Sequence, residues 1–355
     1  MDTRSRLLLA AVVAATVAGC KDNSNTASKP AAKPDKSARA SKAKPPPPTP
    51  VNRPWRRHVK QLPRKVTVLA AGLNRVRAMT LGEAHVYWID GALTANDGRL
   101  MRVAKAGGKP QVIAKGFRPS SSHLVMDGRR LYLVANGAVH YIDKNGGALT
   151  LQHKSAKQVD AVDAHDIYWI GGDRVYRWPK NNLTKGEPIH IASGQRQARS
   201  LVSDGKHVYW LVSTGAGSKL VRRAAGGGNI DTVTTLDAAG GARALKLDGE
   251  SYWLLRADQL TRGSLAKGKK PQPVAVQRPP LHAFSVDEKH VVWPYGQLVY
   301  ALDKSSAREV AYTLDWGTTE PRPHLSDGFV ASDARYVYLT TAAAPGQVRL
   351  IRVAK

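Results

Sequence analysis

Short apolar runs separated by turn-forming residues recur along most of this chain at a nearly constant spacing. Seven of the runs are variations on Val-Tyr-Trp, and they occupy residues 86–88, 131–133, 167–169, 208–210, 251–253, 291–293 and 337–339. Runs this short and this rich in β-branched and aromatic residues predict β-strands. They lie roughly 40 residues apart, which is the spacing of a repeat built from several short strands.

The copy around Tyr209 predicts four strands. A first strand ends in the Asp204-Gly205 turn, a second holds Tyr209 itself, and a glycine hairpin at 226–228 separates the last two. Glycine suits that hairpin because it adopts positive φ without steric cost. Four short antiparallel strands per copy predict the blade of an all-β, seven-bladed β-propeller.

The two ends of the repeat region complement each other. The last copy stops after its third strand, Arg349–Lys355, while a spare strand, Val66–Ala70, precedes the first copy. We expect these strands to pair and close the ring, because closure leaves no unpaired edge between the first and last blades. The predicted propeller covers residues 65–355.

Two recurring features are predicted to be structural. An aspartate precedes each second strand from the second copy onward, and Gly82 stands there in the first copy; the aspartates are Asp127, Asp163, Asp204, Asp248, Asp287 and Asp333. Aspartate fits a tight turn because its side chain accepts hydrogen bonds from nearby backbone amides. The Tyr and Trp positions, with Tyr252-Trp253 aligned on Tyr209-Trp210, are predicted to fill the space between blades.

The repeat resembles the superfamily of YWTD-like and NHL-like propellers. The resemblance is carried by Asp204–Trp210, with its Asp-Gly-x-x-Val-Tyr-Trp pattern, and by Arg102–Gly108, which reads Arg-Val-Ala-Lys-x-Gly-Gly. It covers about residues 65–355 and implies a fold, not an activity. The chain also resembles lipid-anchored propellers of bacterial envelopes, some of which serve as assembly scaffolds.

The N-terminus reads as an export signal over residues 1–19. Two arginines precede an apolar stretch that is too short to span a bilayer. The stretch ends at Val17-Ala18-Gly19-Cys20, which resembles the lipobox of bacterial lipoproteins and predicts lipidation of Cys20. The alternative is an ordinary secretory signal with a chance cysteine. Residues 20–64, rich in Pro, Ala and Lys, are predicted to be a disordered tether in the cell envelope.

The formal net charge of +27 favours acidic partners. The position that starts the predicted first strand carries a basic or polar residue in six of the seven copies, and Gly328 stands there in the last. This predicts a ligand-binding collar at one mouth of the channel, formed by Arg77, Ser122, Gln158, Arg199, Arg243 and His282. Nearby loops add further basic residues, namely Arg75, Arg118, Lys157, Arg196, Arg278 and Arg322. Guanidinium groups suit carboxylates and phosphates. The alternative is that arginines on a basic protein cluster by chance.

No catalytic motif stands out, so we expect a binding or scaffolding module for an anionic envelope ligand or acidic protein. The alternative is a lyase- or lactonase-like enzyme, which would need carboxylates on the first strands. Apart from the turn aspartates, Asp160 is the one acidic residue predicted there, which weakens this alternative. His123, His282 and His324 could approach one another across the channel, but their spacing predicts no metal site. We predict no cofactor, no nucleic-acid partner and a monomer.

Overall fold

The computed structural model describes the repeat region as an all-β structure. It covers residues 59–153, 159–180, 187–215, 217–236, 241–256, 259–274, 276, 280, 283–317, 323–325, 328–341 and 346–355, without the side chains of residues 120–122 and 153. Twenty-eight strands and no α-helix occur in these ranges. The predicted signal peptide, Cys20, most of the tether, Gln158 and His282 lie outside the described residues.

Five sheets contain four strands each, joined in chain order: β2–β5, β6–β9, β10–β13, β14–β17 and β18–β21. The first ten strands of this group are β2 (Val76–Leu81), β3 (His85–Asp90), β4 (Gly98–Ala104), β5 (Gln111–Phe117), β6 (Pro119–Met126), β7 (Arg130–Ala135), β8 (Ala138–Asp143), β9 (Thr150–His153), β10 (Ala161–Val162) and β11 (Asp166–Gly171). The others are β12 (Arg174–Pro179), β13 (Ile189–Ala192), β14 (Arg199–Ser203), β15 (His207–Thr214), β16 (Gly217–Ala224), β17 (Asp231–Leu236), β18 (Ala244–Asp248), β19 (Ser251–Arg256), β20 (Gln259–Ser264) and β21 (Gln272–Val274).

A sheet of eight strands holds the sixth and seventh copies together with the start of the domain. Its order is β22-β23-β24-β25-β1-β28-β27-β26. Its strands are β1 (Lys60–Leu73), β22 (Ser285–Val286), β23 (His290–Tyr295), β24 (Leu298–Asp303), β25 (Glu309–Asp315), β26 (Val330–Ser332), β27 (Tyr336–Thr340) and β28 (Val348–Ala354).

Strand β1 serves two copies at once. Its second half pairs antiparallel with β28, with Val66 opposite Val353 and Val68 opposite Ile351. Its first half, from Lys60, pairs parallel with β25 of the sixth copy. The strand therefore begins at Lys60, before the predicted start of the propeller at residue 65. It also adds a strand to the sheets of both the sixth and the seventh copies, whereas the sequence predicted pairing with the last copy alone.

The first strands of successive copies contact one another in the order β2, β6, β10, β14, β18, β22 and β26, and β26 contacts β2. Each apolar cluster joins residues of two neighbouring copies; Tyr168 of the third copy, for example, packs with Trp210 of the fourth. Trp88, Trp210 and Trp293 are fully buried in such clusters. The rings thus fill the space between copies, as their regular recurrence predicts.

The fifth copy corrects the alignment made from the Tyr-Trp letters. Trp253, not Tyr252, takes the place of Tyr209: its indole Nε1 donates to Asp248 at 3.0 Å, and it packs against the sixth copy. Tyr252 packs instead against the fourth copy, which precedes it in the chain. Trp253 lies five residues after Asp248, as Tyr209 does after Asp204, so spacing from the turn aspartate predicts the equivalent residue better than letter identity.

Among the residues that the structure describes, no helix is long and apolar enough to cross a bilayer.

Candidate functional site

Arg77 lies on β2 at the predicted channel mouth and is half-buried. Its Nε donates to the Gly91 carbonyl at 3.0 Å, so the side chain braces its own copy. Burial, and then the positive charge of Arg75, lower the pKa of Arg77. Part of its guanidinium is therefore committed to the backbone.

Arg199 and Arg243 lie side by side on the fourth and fifth copies. Arg199 Nε donates to the Ala242 carbonyl at 2.7 Å, and its Nη1 donates to Ser213 Oγ at 2.8 Å. The Arg243 carbonyl accepts a hydrogen bond from Ser200 Oγ at 3.1 Å. The Arg243 side chain is exposed, while that of Arg199 is half-buried and fastens two copies together.

The other predicted collar positions are described only in part. The backbone of Ser122 belongs to β6, but its side chain is outside the described set, as are Gln158 and His282. In the seventh copy the equivalent residue is Gly328, where a Cβ atom would lie 1.9 Å from the Thr340 carbonyl oxygen. That position tolerates only glycine. Ligand binding by the collar stays a prediction.

Among the residues that the structure describes, four exposed arginines lie within three residues of the start of a first strand, on the loops that lead into β2, β6, β14 and β18. We call them the mouth arginines: Arg75, Arg118, Arg196 and Arg243. Three of them stand on loops that the sequence analysis singled out. Because a guanidinium presents a planar fork of donors, the group suits carboxylate or phosphate oxygens.

A histidine and a carboxylate meet between the second and third copies. His123 Nε2 lies 3.7 Å from Asp160 Oδ1; the His123 side chain is 44% exposed and that of Asp160 is 6% exposed. Asp160 Oδ2 also accepts the Ile170 amide at 2.8 Å. Sequence reasoning did not pair these residues, because only the contact between β6 and β10 brings them together.

The turn aspartates have a structural role, as predicted, because their carboxylates accept hydrogen bonds from the turns and from neighbouring side chains. Asp127 Oδ1 accepts the amides of Arg129 and Arg130 at 3.1 and 2.7 Å, and its Oδ2 accepts the Tyr132 hydroxyl at 2.9 Å. Burial acts to raise the pKa of Asp127, but hydrogen bonds from Lys180, from these amides and from Tyr132 outweigh it and lower the pKa. The same balance lowers the pKa of Asp204, which is bonded by Tyr209.

Lysines of one copy bind the turn aspartates of the copy before it. Each lysine lies directly after a third strand. The pairs are Lys180 with Asp127 at 2.6 Å, Lys304 with Asp248 at 2.6 Å, Lys105 with Asp333 at 2.8 Å, and Lys355 with Asp287. The third pair joins the first copy to the last.

Arginines supply a second kind of link between copies. Each lies on a third strand and donates through Nη1 to a backbone carbonyl of the next copy: Arg102 to Lys144, Arg177 to Ala225, Arg222 to Leu265 and Arg352 to Lys105. Arg102 and Lys105 are the basic residues of the Arg-Val-Ala-Lys motif. The basic residues of this motif therefore form contacts between copies and not a ligand site.

No group of three or more His, Cys, Asp or Glu residues in the described ranges is placed to hold a metal ion. The turn aspartates are engaged in structural hydrogen bonds, so the candidate groups for chemistry or binding are the His123–Asp160 contact and the mouth arginines.

Comparison with known proteins supports the fold. No protein-family model and no curated protein sequence matches the chain. Virginiamycin B lyase from Staphylococcus aureus is similar in structure, with a TM-score of 0.58 and 13% identity over 82% of this chain and 99% of the lyase. Oligogalacturonate lyase from Vibrio parahaemolyticus has a TM-score of 0.60 and 9% identity over 81% of this chain and 93% of the lyase.

A third similar structure is PorZ, a bacterial surface component of the type-IX secretion system of Porphyromonas gingivalis. Its TM-score is 0.55, with 12% identity over 80% of this chain and 37% of PorZ. Identities this low speak to the fold alone. The four-stranded sheets, their mutual contacts and these similarities identify the repeat region as a β-propeller.

Proposed function

We propose that this protein is a lipid-anchored, extracytoplasmic β-propeller that binds an anionic ligand or an acidic partner protein in the cell envelope. The observation that carries the proposal is the set of mouth arginines, exposed where four first strands begin. Several positive charges on the loops that lead into the first strands favour a partner with several acidic groups.

We further propose that the seven copies are seven blades of one ring closed by β1. Support comes from the contact of β26 with β2 and from the antiparallel pairing of β1 with β28. A closed ring needs no partner to cover an edge strand, which favours a monomer.

Anchoring is proposed from the Val17-Ala18-Gly19-Cys20 motif. Acyl chains on Cys20 would fix the protein to a membrane, since each buried methylene contributes about 0.8 kcal/mol. Metabolic labelling with a palmitate analogue, compared between wild type and Cys20→Ser, tests this part. Equal labelling of both proteins would contradict it and would leave the binding proposal open.

Cross-linked capture from intact envelopes tests the binding proposal. The variant replaces Arg75, Arg196 and Arg243 by serine, and leaves Arg77 and Arg199 in place because both hold backbone carbonyls. We expect wild type to capture a cell-wall fragment or an acidic protein, and the variant to lose that capture. Moderate salt should also weaken it, because exposed charges are screened.

The matched control removes the same charge from the opposite ends of the first strands. Lys206, Lys289 and Arg335 are exposed on the turns that follow the first strands. Their triple serine variant should retain the partner. If both variants lose capture equally, net charge and not the mouth arginines explains binding; if wild type captures nothing specific, the proposed function is wrong.

A second function, a lyase- or lactonase-like enzyme, is favoured by the His123–Asp160 contact. A histidine close to a buried carboxylate can act as a general base, with the carboxylate fixing its tautomer. Activity on anionic polysaccharides and lactones should then fall at least about a hundredfold in His123→Ala. Arg196→Ser would serve as the folded control, and a turnover that survives His123→Ala would remove this candidate.

A further inference from the structure

A pocket of about 370 Å³ opens on the sheet of the sixth copy, where the first half of β1 pairs with β25. Its lining includes Lys60 and Leu62 of β1, Val310 of β25 and Asp303 of β24. The pocket depends on β1, because two of these side chains come from the strand that extends the sixth copy. Its volume falls in the range of about 300–1,000 Å³ that is usual for small-molecule sites.

Three charged side chains line this pocket, and none of them forms an ion pair with a described residue: Lys60, Arg308 and Asp303. Asp303 Oδ1 accepts four hydrogen bonds, from the amides and hydroxyls of Ser305 and Ser306. These bonds, that of the Ser305 hydroxyl first, lower the pKa of Asp303, so its carboxylate is ionised. Its Oδ2 accepts no hydrogen bond from a described residue and can therefore bind a ligand.

The remaining lining adds apolar surface and no further charge. Leu62 and Val310 are half-buried and pack against the apolar cluster shared by the sixth and seventh copies. His290 also lines the pocket, opposite Asp303 in the strand register. Burial, and then the charge of Lys355, lower the pKa of His290, so the imidazole is uncharged at neutral pH. The lining thus carries two positive charges and one negative charge beside an apolar wall.

The pocket lies on the side of the propeller away from the mouth arginines. Asp303 and Arg308 flank the turn between β24 and β25. Lys304 of the same turn bonds to the turn aspartate Asp248 at 2.6 Å, so this turn lies beside the ends of the first strands. The mouth arginines lie where first strands begin. A ligand in the pocket would therefore not contact them.

We propose that this pocket binds an acidic α-amino acid, for which glutamate is the model ligand. One carboxylate pairs with Arg308, the other with Lys60, and the ammonium group with Asp303 Oδ2, so that each charge of the ligand meets an opposite charge. The methylenes lie against Leu62 and Val310. The single net negative charge of the ligand also balances the single net positive charge of the lining. This site goes beyond the proposed function.

Calorimetric titration of the full chain at low salt with L-glutamate and D-glutamate tests the proposal. Two comparison ligands each lack one charge: glutarate has no ammonium group, and norvaline has no second carboxylate. We expect saturable binding of at least one glutamate enantiomer, and binding of glutarate and norvaline that is weaker by about tenfold or more. Arg308→Met and Lys60→Met should each weaken glutamate binding by about tenfold or more, because a charge-assisted hydrogen bond is lost.

Asp303→Asn tests recognition of the ammonium group. The asparagine Oδ1 can still accept the hydrogen bonds of the turn, but the negative charge is lost. We expect this variant to lose the preference for glutamate over glutarate. The matched control is Lys219→Met, which removes an exposed lysine of β16 and should bind glutamate like wild type.

The proposal is overturned if neither enantiomer binds saturably, or if Arg308→Met binds glutamate as wild type does. It is also overturned if Asp303→Asn keeps the preference for glutamate, or if Lys219→Met weakens binding as much as Arg308→Met. All of these outcomes leave envelope capture by the mouth arginines unaffected, so the two proposals fail separately.

Discussion

In the fifth copy Trp253 bonds to the turn aspartate, as a tyrosine does at the equivalent position of the fourth copy, and Tyr252 packs against the preceding copy. A glycine leaves room for the Tyr252 ring. Gly263 lies opposite Tyr252 in the strand register. A Cβ atom at Gly263 would lie 2.2 Å from Tyr252 Cζ and 2.3 Å from its hydroxyl oxygen. The ring therefore occupies space that any other side chain would need.

Gly263→Ala should destabilise the protein by about 1–3 kcal/mol, because the added methyl forces the buried Tyr252 ring out of place. Urea unfolding followed by tryptophan fluorescence measures the change. Gly226→Ala is the control: a Cβ there has no atom within 4 Å, and the midpoint should stay close to that of wild type. Equal midpoints for the two variants would show that the ring gives way at little cost.

The lysine–aspartate pairs between copies should be coupled energetically. The side chains of Lys180 and Asp127 are 13% and 11% exposed, so the pair is only weakly hydrated. Lys180→Met should cost about 1–3 kcal/mol, since it leaves a buried carboxylate short of a partner. A double-mutant cycle with Asp127→Asn should give a coupling energy of about 1 kcal/mol.

Lys144 provides the matched control for that cycle. It occupies the equivalent position in the second copy, but the preceding copy has Gly82 in place of the aspartate. Lys144→Met should change stability by less than about 0.5 kcal/mol. A loss as large as that of Lys180→Met would mean that these lysines stabilise through their methylenes and not through the ion pair.

At the scale of elements, β1 is the strand whose loss matters most. It pairs with β25 on one side and β28 on the other, and Leu69, Ala70 and Leu73 join the cluster shared by the first and last copies. The outermost strand of a single blade pairs on one side only, whereas β1 pairs on both sides.

Leu69→Ala should therefore cost about 2–4 kcal/mol, because it opens a cavity in that shared cluster. Leu69 is 4% exposed, whereas its neighbour Val68 is 47% exposed and should tolerate alanine with a loss below about 1 kcal/mol. Thermal unfolding of both variants gives the comparison. Similar losses of stability at the two positions would contradict the assignment of Leu69 to the cluster shared by the first and last copies.

At the scale of the whole molecule, stability should depend on pH through the turn aspartates. Burial acts to raise their pKa values, but hydrogen bonds from backbone amides, aromatic side chains, serines or lysines outweigh it. The pKa is lowered at Asp127, Asp163, Asp204, Asp248, Asp287 and Asp333. Asp166 opposes the trend, because burial raises its pKa.

A carboxyl whose pKa is lower in the folded state stabilises the fold above its unfolded pKa, which is about 3.9 for aspartate. That stabilisation is lost as the pH falls through the lowered values. We expect urea midpoints to be nearly constant from about pH 5 to 7 and to fall steeply below about pH 4. Asp127→Asn should flatten part of the fall, whereas unchanged midpoints between pH 5 and pH 3 would refute the linkage.

The sequence by itself determined the strands and the turns, because both depend on neighbouring residues. Alternating β-formers predict where a strand runs, and an aspartate followed by glycine predicts the turn that the structure places at Asp204-Gly205. The period of the repeat then predicts the β-propeller, since a blade buries its faces only against another blade.

Only the tertiary structure decided which residues meet between copies. His123 faces Asp160, Lys180 reaches Asp127, and the first half of β1 pairs with β25 because neighbouring copies pack against one another. The structure also shows that the side chains of Arg77 and Arg199 donate to backbone carbonyls, while ligand binding by the collar stays a prediction. A local pattern records the fold of one segment; the partner of a side chain depends on packing between segments far apart in sequence.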